Sequence, residues 1–159
     1  MLETVLMYLN NWFVVGRYDD TYTIEDGGIT LPFLVNGQYF RIVGSLFNDG
    51  LHQYPAADLM DETFDGTIWA LAVPKAVISL SEEISAWNEK NGAAGPYSSE
   101  SFGGYSYTRA TKSNGQAVGW QDVFAAQLSP WKKPPGSWLY VRPNPHMTPP
   151  DPHEDNPWR

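Results

Sequence analysis

The stretch FDGTIWALAVPKAVISLSEEISAWNEKNGAAGPYSSESFGGYSYTR, residues 64–109, decides the fold of this chain. Pro74 suits the first position of a helix, because the N–H that proline lacks has no partner there in any helix. After it the apolar residues recur every three or four positions, at Val73, Val77, Leu80, Ile84 and Trp87. This spacing predicts an amphipathic helix over residues 74–91, about 27 Å long, which Gly92 ends.

The segment after this helix combines aromatic residues with serine and glycine, as in GPYSSESFGGYSYT. A flexible linker would contain fewer aromatic residues, and a buried strand would contain fewer glycines. We therefore expect an extended segment whose rings lie on a surface, and that surface can belong to a second copy of the chain. The alternative is a loop that folds back on its own core.

The chain before the central helix begins with a predicted helix over residues 2–13, whose apolar side chains share one face. A polar break at Arg17–Asp20 follows, and then a β-rich part over residues 21–73. Turn signals punctuate this part at Asp26–Gly28, Asn36–Gly37, Asn48–Gly50 and Asp65–Gly66. The run TIWALAV favours a strand that ends at Pro74, although one or two helical turns would show the same pattern.

The chain after the aromatic segment forms one more predicted helix, over residues 117–128, which Pro130 terminates. Residues 131–159 contain eight further prolines and favour extended conformations. The run WKKPPGSWLYVRP within them carries two tryptophans, a tyrosine and three basic residues, as peptides that dock on a partner do. A disordered terminus is the alternative, most of all for residues 143–159.

Together these elements predict an α+β fold. A small antiparallel sheet or barrel is inserted between an N-terminal helix and the central amphipathic helix, and a second helix and a proline-rich tail follow. We expect one domain over residues 1–130 and a partner-docking tail over residues 131–159.

The charge of the chain is unevenly distributed. Residues 1–108 hold 14 acidic and 4 basic side chains (net −10), and residues 109–159 hold 4 acidic and 6 basic (net +2). An acidic body disfavours tight binding of nucleic acid, which needs lysine and arginine against the phosphates. It suits a conduit through which DNA slides, or simply a soluble protein. Aromatic residues make up 14% of the chain, more than a core of this size needs, so we expect some of them to contact partners.

A search for catalytic chemistry finds no nucleophile elbow, no phosphate-binding glycine loop and no zinc motif, and the chain has no cysteine. His52 is expected to be a surface residue, and His146 and His153 match no ligand spacing. The carboxylates are expected to be solvated, both at the turn of Asp61, Glu62 and Asp65 and on the helix at Glu82 and Glu83. We expect no enzyme activity, no cofactor and no bound metal.

The stretch FDGTIWALAVPKAVISLSEEISAW, followed by SSESFGGYSYTR, resembles the head-tail adaptor (connector) proteins of long-tailed bacteriophages. In that family a helix precedes an S-E-S-(aromatic or aliphatic)-G-x-Y-S segment, which here spans Ser99 to Tyr107. The run GQYFRIVGSLFNDGLHQYP is similar to versions of these adaptors that carry a β-rich insertion. The resemblance covers residues 1 to about 130.

The resemblance implies a structural protein of the virion neck, which assembles in the host cytoplasm as a ring, commonly of twelve copies. The ring would bind beneath the portal protein, receive a stopper or tail-completion protein, and let DNA pass through its channel without a membrane being involved. The residues that it implies for contacts between subunits are Tyr97, Phe102, Tyr105, Tyr107 and Arg109. Those that it implies for docking on the portal or tail are Trp131, Lys132, Lys133, Trp138, Tyr140 and Arg142.

Three alternatives remain open. The large sheet and the Trp-rich tail also fit a different neck protein, such as a stopper. The many aromatic residues fit a carbohydrate-binding module, although the two helices fit it poorly because such modules are mostly sheet. A small hydrolase would require two carboxylates that face one cleft.

Overall fold

The computed structural model describes residues 1–91, 99–102, 105–108 and 118–134, and for 99–102 and 105–108 it describes the backbone alone. The predicted α+β class is confirmed. The elements in chain order are α1 (Leu2–Leu9), β1 (Val14–Ile24), β2 (Tyr39–Val43), β3 (Gly50–Gln53), β4 (Glu62–Leu71), α2 (Lys75–Asn91), β5 (Ser99–Phe102), β6 (Tyr105–Thr108), α3 (Trp120–Val123) and α4 (Ala125–Leu128). A single 3₁₀ turn, Ser129–Trp131, follows α4.

The described residues form two compact units. Residues 13–72 form a sheet unit, and residues 1–12, 73–91 and 118–134 belong to a helical unit. The sheet is therefore inserted between α1 and α2, as the sequence predicts.

The sheet unit is built on four antiparallel strands in the order β1-β4-β2-β3, and the sheet is open, so the predicted alternative of a closed barrel is wrong. Alternate residues of the strands point into one core, which Phe40, Ile42 and Ile68 fill without exposure. The long connection between β1 and β2 covers this core with Ile29, Leu31 and Leu34.

The helical unit has a core of its own. Val77, Leu80 and Ile84 of the predicted stripe are buried in α2, and α2 contacts α1 and α3. The other buried apolar residues of this unit are Val5, Leu6 and Leu9 on α1, Trp120 on α3, Phe124 between α3 and α4, and Leu128 on α4. Pro74 immediately precedes α2, and its carbonyl accepts hydrogen bonds from the N–H groups of Val77 (2.9 Å) and Ile78 (3.1 Å).

The N-terminal helix is shorter than predicted. It ends at Leu9 because Asn10 adopts the left-handed conformation (φ 50°, ψ 34°), which asparagine tolerates and which stops a helix. The predicted range 2–13 is therefore wrong by four residues, and the N–H groups of Asn10 and Asn11 close the helix on the carbonyls of Met7 and Leu6.

The predicted polar break at Arg17–Asp20 is also wrong, because these residues lie in the middle of β1. The sheet thus begins at Val14 rather than near residue 21. Asp65–Gly66 does not separate two segments either, since β4 runs through it from Glu62 to Leu71. Gly66 is required there by close approach, because a Cβ at this position would lie 2.4 Å from the carbonyl oxygen of Val43 on β2.

The turn at Asp26–Gly27 forms as predicted, with Asp26 (φ 52°) and Gly27 (φ 74°) both left-handed. Glu25 and Gly28 exchange two backbone hydrogen bonds across it. The chain after the turn does not pair with β1, which pairs with β4 instead.

The predicted helix over residues 117–128 begins at Trp120 and is interrupted at Phe124, which separates α3 from α4. Pro130 does not end the helical path, since it lies inside the 3₁₀ turn that continues to Trp131.

Candidate functional site

A cleft of about 1070 Å³ lies along β1 in the sheet unit. Residues 17–23 line it without a gap, and the far wall comes from the loop at residues 25–33 and from Ala56. Because successive side chains of a strand point to opposite faces, seven consecutive lining positions indicate that the cleft follows the edge of β1. Within the part of the chain that the structure describes, β1 pairs with β4 alone. The cleft thus runs beside the edge of β1 that faces away from β4.

The inner wall of this edge cleft is aromatic. The ring of Tyr18 stacks on that of Phe33 with centroids 3.8 Å apart, and it covers Gly16, where a Cβ would lie 2.9 Å from the Tyr18 ring. The hydroxyl of Tyr22 donates a hydrogen bond of 2.7 Å to the carbonyl oxygen of Tyr18. Burial raises the pKa of Tyr22, and the charges of Asp20 and Asp19 add to that rise, so this hydroxyl stays protonated and remains a donor.

The charge of the edge cleft is negative. One basic and four acidic side chains line it, namely Arg17, Asp19, Asp20, Glu25 and Asp26. Among the residues described by the structure, no three histidine, aspartate or glutamate side chains are grouped closely enough to hold a metal ion. The acidic lining therefore favours a basic peptide as a ligand.

The outer face of the sheet carries a polar ladder. The guanidinium groups of Arg17 on β1 and Arg41 on β2 lie 4.6 Å and 4.8 Å from the ring centroid of Trp69, on the strand between them. Further along, the Thr67 hydroxyl donates to Asp19 and the Thr21 hydroxyl donates to Asp65. These cross-strand contacts explain why charged residues occupy the middle of β1.

The β2–β3 connection, residues 44–49, presents an apolar tip. Leu46 is 80% exposed and Phe47 is 56% exposed. The backbone beneath them is held by a side-chain network. Asn48, which is only 5% exposed, donates from Nδ2 to the carbonyl oxygen of Met60 (2.9 Å) and accepts from the Met60 N–H (2.8 Å).

Glu62 completes the network under this tip. Its carboxylate accepts hydrogen bonds from the Ser45 hydroxyl, the Leu46 N–H and the Asn48 side-chain amide. The hydrogen bond from Ser45, followed by that from Asn48, holds the pKa of Glu62 below its ordinary value. Two large apolar side chains thus project from a loop whose conformation is already fixed.

The residues predicted for contacts between subunits are only partly described. Phe102 ends β5, and Tyr105 and Tyr107 belong to β6, so the backbone of this segment is extended as expected. The antiparallel register pairs Phe102 with Tyr105 and Glu100 with Tyr107, which puts these four positions on one side of a two-stranded ribbon. Tyr97 and Arg109 lie outside the described residues.

The residues predicted for docking fall in two groups. Trp138, Tyr140 and Arg142 lie outside the described residues. Trp131, Lys132 and Lys133 are described, and their backbone is attached to the end of α1: the Lys133 N–H donates to the Leu9 carbonyl (2.8 Å), and Asn11 Nδ2 donates to the Trp131 carbonyl (2.9 Å).

Two more contacts fix this junction. Asn10 Nδ2 donates to the carbonyl of Pro134 (2.8 Å), and Lys132 Nζ lies 4.4 Å from the ring centroid of Tyr8. The start of the tail is therefore part of the helical unit, and it satisfies a helix-end carbonyl that would otherwise have no partner in the helix.

The carboxylates considered for catalysis make structural contacts. Asp61 accepts from the Gly27 N–H (2.9 Å), Glu62 from the tip loop and Asp65 from Thr21. His52 donates from Nε2 to the Asn48 carbonyl (2.7 Å) beside the turn. None of these contacts positions a pair of carboxylates across the edge cleft.

Sequence reasoning missed the edge cleft and the fixed tip. The available signals were the two adjacent apolar residues in the turn SLFNDG and the alternation of RYDDTYTI, in which Arg17, Asp19, Thr21 and Thr23 share one face. In the described residues no helix is both long and apolar enough to cross a membrane. Comparisons with protein-family models, with curated proteins and with solved structures find no match for this chain.

Proposed function

We propose that this chain is a structural subunit of a bacteriophage neck, a head-tail adaptor that forms a ring beneath the portal and joins the capsid to the tail. The observation that carries the proposal is the fixed apolar tip. Exposed leucine and phenylalanine side chains on a preorganised loop suit burial against another polypeptide, since little entropy remains to be lost on binding. The proposed task is assembly rather than the making of bonds.

Two further observations support an adaptor. The segment that carries the resemblance to the phage adaptors, SESFGGYSYT, contains two paired strands, and it puts Phe102, Tyr105 and Tyr107 on one side of a ribbon. A closed ring needs a heterologous interface, in which one surface of each copy meets a different surface of the next. The ribbon and the tip are two such surfaces on one chain.

The carbohydrate-binding alternative has less support. A sugar stacks on an open aromatic face, whereas the ring of Trp69 on the outer face of the sheet is flanked by Arg17 and Arg41. A glycan array tests this alternative. Specific glycan binding that is lost in Trp69→Ala would favour it over the adaptor.

The adaptor proposal is tested by removing the gene from the phage. We expect full heads and separate tails to accumulate, and we expect purified wild-type virions to contain the chain at about the copy number of the portal, as a ring on the portal requires. Joined, infectious particles that form without the chain would contradict the proposal.

A deletion tests the docking role of the tail. Because residues 131–134 are attached to α1, the chain should be cut after Pro135, which keeps those contacts. We expect the shortened chain to remain folded and to fail in joining heads to tails. Normal particles from this variant would refute the docking role of Trp138, Tyr140 and Arg142.

A further inference from the structure

We propose that the outer edge of β3 pairs, in antiparallel fashion, with the same edge of a second copy of this chain. The residues that pair are Leu51, His52 and Gln53, and the sheets of the two copies become one continuous sheet. This inference concerns the purified chain and does not depend on the proposed neck function.

The outer edge of β3 has backbone groups to offer. β3 is the last strand in the sheet order, and among the described strands it pairs with β2 alone. The Tyr54 N–H donates to the Gln38 carbonyl (2.8 Å), so the backbone groups of Tyr54 face the β2 side. Because these groups alternate in direction along an antiparallel strand, those of His52 also face β2, and those of Leu51 and Gln53 face away. In the described part of the chain, the N–H and C=O groups of these two residues form an edge that a further strand can extend.

The composition of this edge favours a copy of itself as the occupant. β3 has the sequence GLHQ, without lysine, arginine, aspartate, glutamate or proline. Charges and prolines are among the features by which natural proteins keep sheet edges from pairing. Such an edge has no charge that would select an acidic or a basic strand of another protein. A second copy fits it, because no like charges would face one another across the new pair.

One register uses the outward groups of both copies. When His52 lies opposite its own counterpart on a two-fold axis, Leu51 of each copy lies opposite Gln53 of the other. Each of these two pairs exchanges two hydrogen bonds, as hydrogen-bonded pairs of an antiparallel ladder do. Asp49, the acidic residue next to β3, then falls opposite Pro55 and meets no second carboxylate. The contact is isologous, the type found in the commonest closed oligomers of identical subunits.

The side chain at the proposed axis is already held within its own sheet. The ring of His52 packs against that of Phe40 with centroids 5.6 Å apart, and His52 Nε2 lies 2.7 Å from the carbonyl oxygen of Asn48. The pairing of two β3 edges uses backbone groups that point sideways in the plane of the sheet. It therefore leaves these contacts of His52 in place.

An apolar patch borders the same edge. Leu46, Phe47 and Met60 are exposed by 80%, 56% and 57%. They lie around Asn48, whose side chain bonds the backbone of Met60 and which comes two residues before the start of β3. With a two-fold axis at the centre of the paired strands, one such patch lies at each end of the contact. Cover of these side chains by the second copy adds an apolar contribution to the backbone hydrogen bonds.

Hydrogen exchange tests the pairing in the unaltered full chain. Since a dimer is favoured by mass action, we expect the amides of Leu51 and Gln53 to exchange more slowly when the concentration of the chain is raised about 100-fold. The amide of His52, which faces β2 in every copy, should change less. Exchange at Leu51 and Gln53 that does not depend on concentration would overturn the inference. Slowing that appears only after portal protein is added would overturn the choice of a second copy.

A matched pair of double variants tests the register. Leu51→Lys with Gln53→Glu puts opposite charges across each proposed pair, whereas Leu51→Lys with Gln53→Lys puts like charges there. Sedimentation equilibrium measures the dissociation constant of the dimer. We expect the constant of the like-charge variant to exceed that of the opposite-charge variant by about tenfold or more, because two cross-strand pairs change from attraction to repulsion. Equal constants, or a wild-type mass that stays at 17.8 kDa at every concentration, would overturn the inference.

Discussion

Asn48 and Met60 exchange two hydrogen bonds through one side chain: Asn48 Nδ2 donates to the Met60 carbonyl at 2.9 Å, and the Met60 N–H donates to Asn48 Oδ1 at 2.8 Å. The side-chain amide of Asn48 therefore makes the two hydrogen bonds with the Met60 backbone that a neighbouring strand would make in a sheet. This pair holds the connection between β3 and β4 against the β2–β3 loop, and it fixes the apolar tip.

Asn48→Ala should destabilise the sheet unit by about 2 kcal/mol, because it leaves the N–H and the carbonyl of Met60 without their partner. Urea denaturation followed by fluorescence measures the change. Asn36→Ala, an exposed turn residue, is the control and should stay within about 0.5 kcal/mol of the wild type. Equal stability of the two variants would show that the Asn48 pair does not hold the loop.

Glu62 should make stability depend on acidic pH. Its pKa is lowered in the folded chain, so its contribution is fully present above the ordinary value of 4.5 and is lost as the pH falls through the lower, folded value. We expect the midpoint of urea unfolding to fall between pH 6 and pH 3 in the wild type, and to fall less in Glu62→Gln.

The control for this pH series is Glu82→Gln, which removes an exposed carboxylate from α2. It should reproduce the pH dependence of the wild type. If Glu62→Gln and the wild type lost the same stability between pH 6 and pH 3, the network under the tip would not depend on the ionised carboxylate.

Gly66→Ala should disrupt the pairing of β2 with β4. The new Cβ would lie 2.4 Å from the Val43 carbonyl oxygen, a backbone atom that cannot move without shifting the strand. We expect a loss of about 3 kcal/mol, at the upper end of the usual cost of overpacking. Gly28→Ala is the matched control, since its Cβ would be 3.6 Å from the nearest atom, and its thermal midpoint should stay close to that of the wild type.

Two elements, α2 and β4, could be predicted from the sequence. The stripe of Val77, Leu80 and Ile84 predicts α2 because its spacing is local, and the run TIWALAV predicts β4 for the same reason. Local patterns could not reveal β1. In the sequence, its charged residues are typical of a loop. Arg17 and Asp19 contact Trp69 and Thr67, which lie about 50 positions later in the chain, so no local pattern indicates these contacts.

The candidate site could be predicted still less. The exposure of Leu46 and Phe47 depends on Asn48, Met60 and Glu62 meeting across two connections, which no spacing in the sequence indicates. The predicted docking residues Trp131 to Lys133 carry the right composition for binding a partner. Their attachment to Leu9 and Asn11 depends on where α1 ends. The left-handed Asn10 ends α1 at Leu9, four residues before the end that the sequence predicts.

The tip should matter for assembly and not for folding. Replacing Leu46 and Phe47 by serine removes two exposed side chains, so stability should change by less than about 0.5 kcal/mol. If the tip is a hot spot of the interface with the portal or a neighbouring copy, binding should weaken by about 30-fold, which corresponds to about 2 kcal/mol. Val35→Ser, another exposed apolar residue of the sheet unit, is the control and should bind normally.

The most direct measurement of the central claim is electron cryo-microscopy of the purified chain mixed with portal rings encoded by the same phage genome. The account predicts a closed ring of copies on one face of the portal, with Leu46 and Phe47 buried in a contact between polypeptides. The account would be contradicted if the portal rings remained bare while the chain was folded and present at concentrations far above those in assembly.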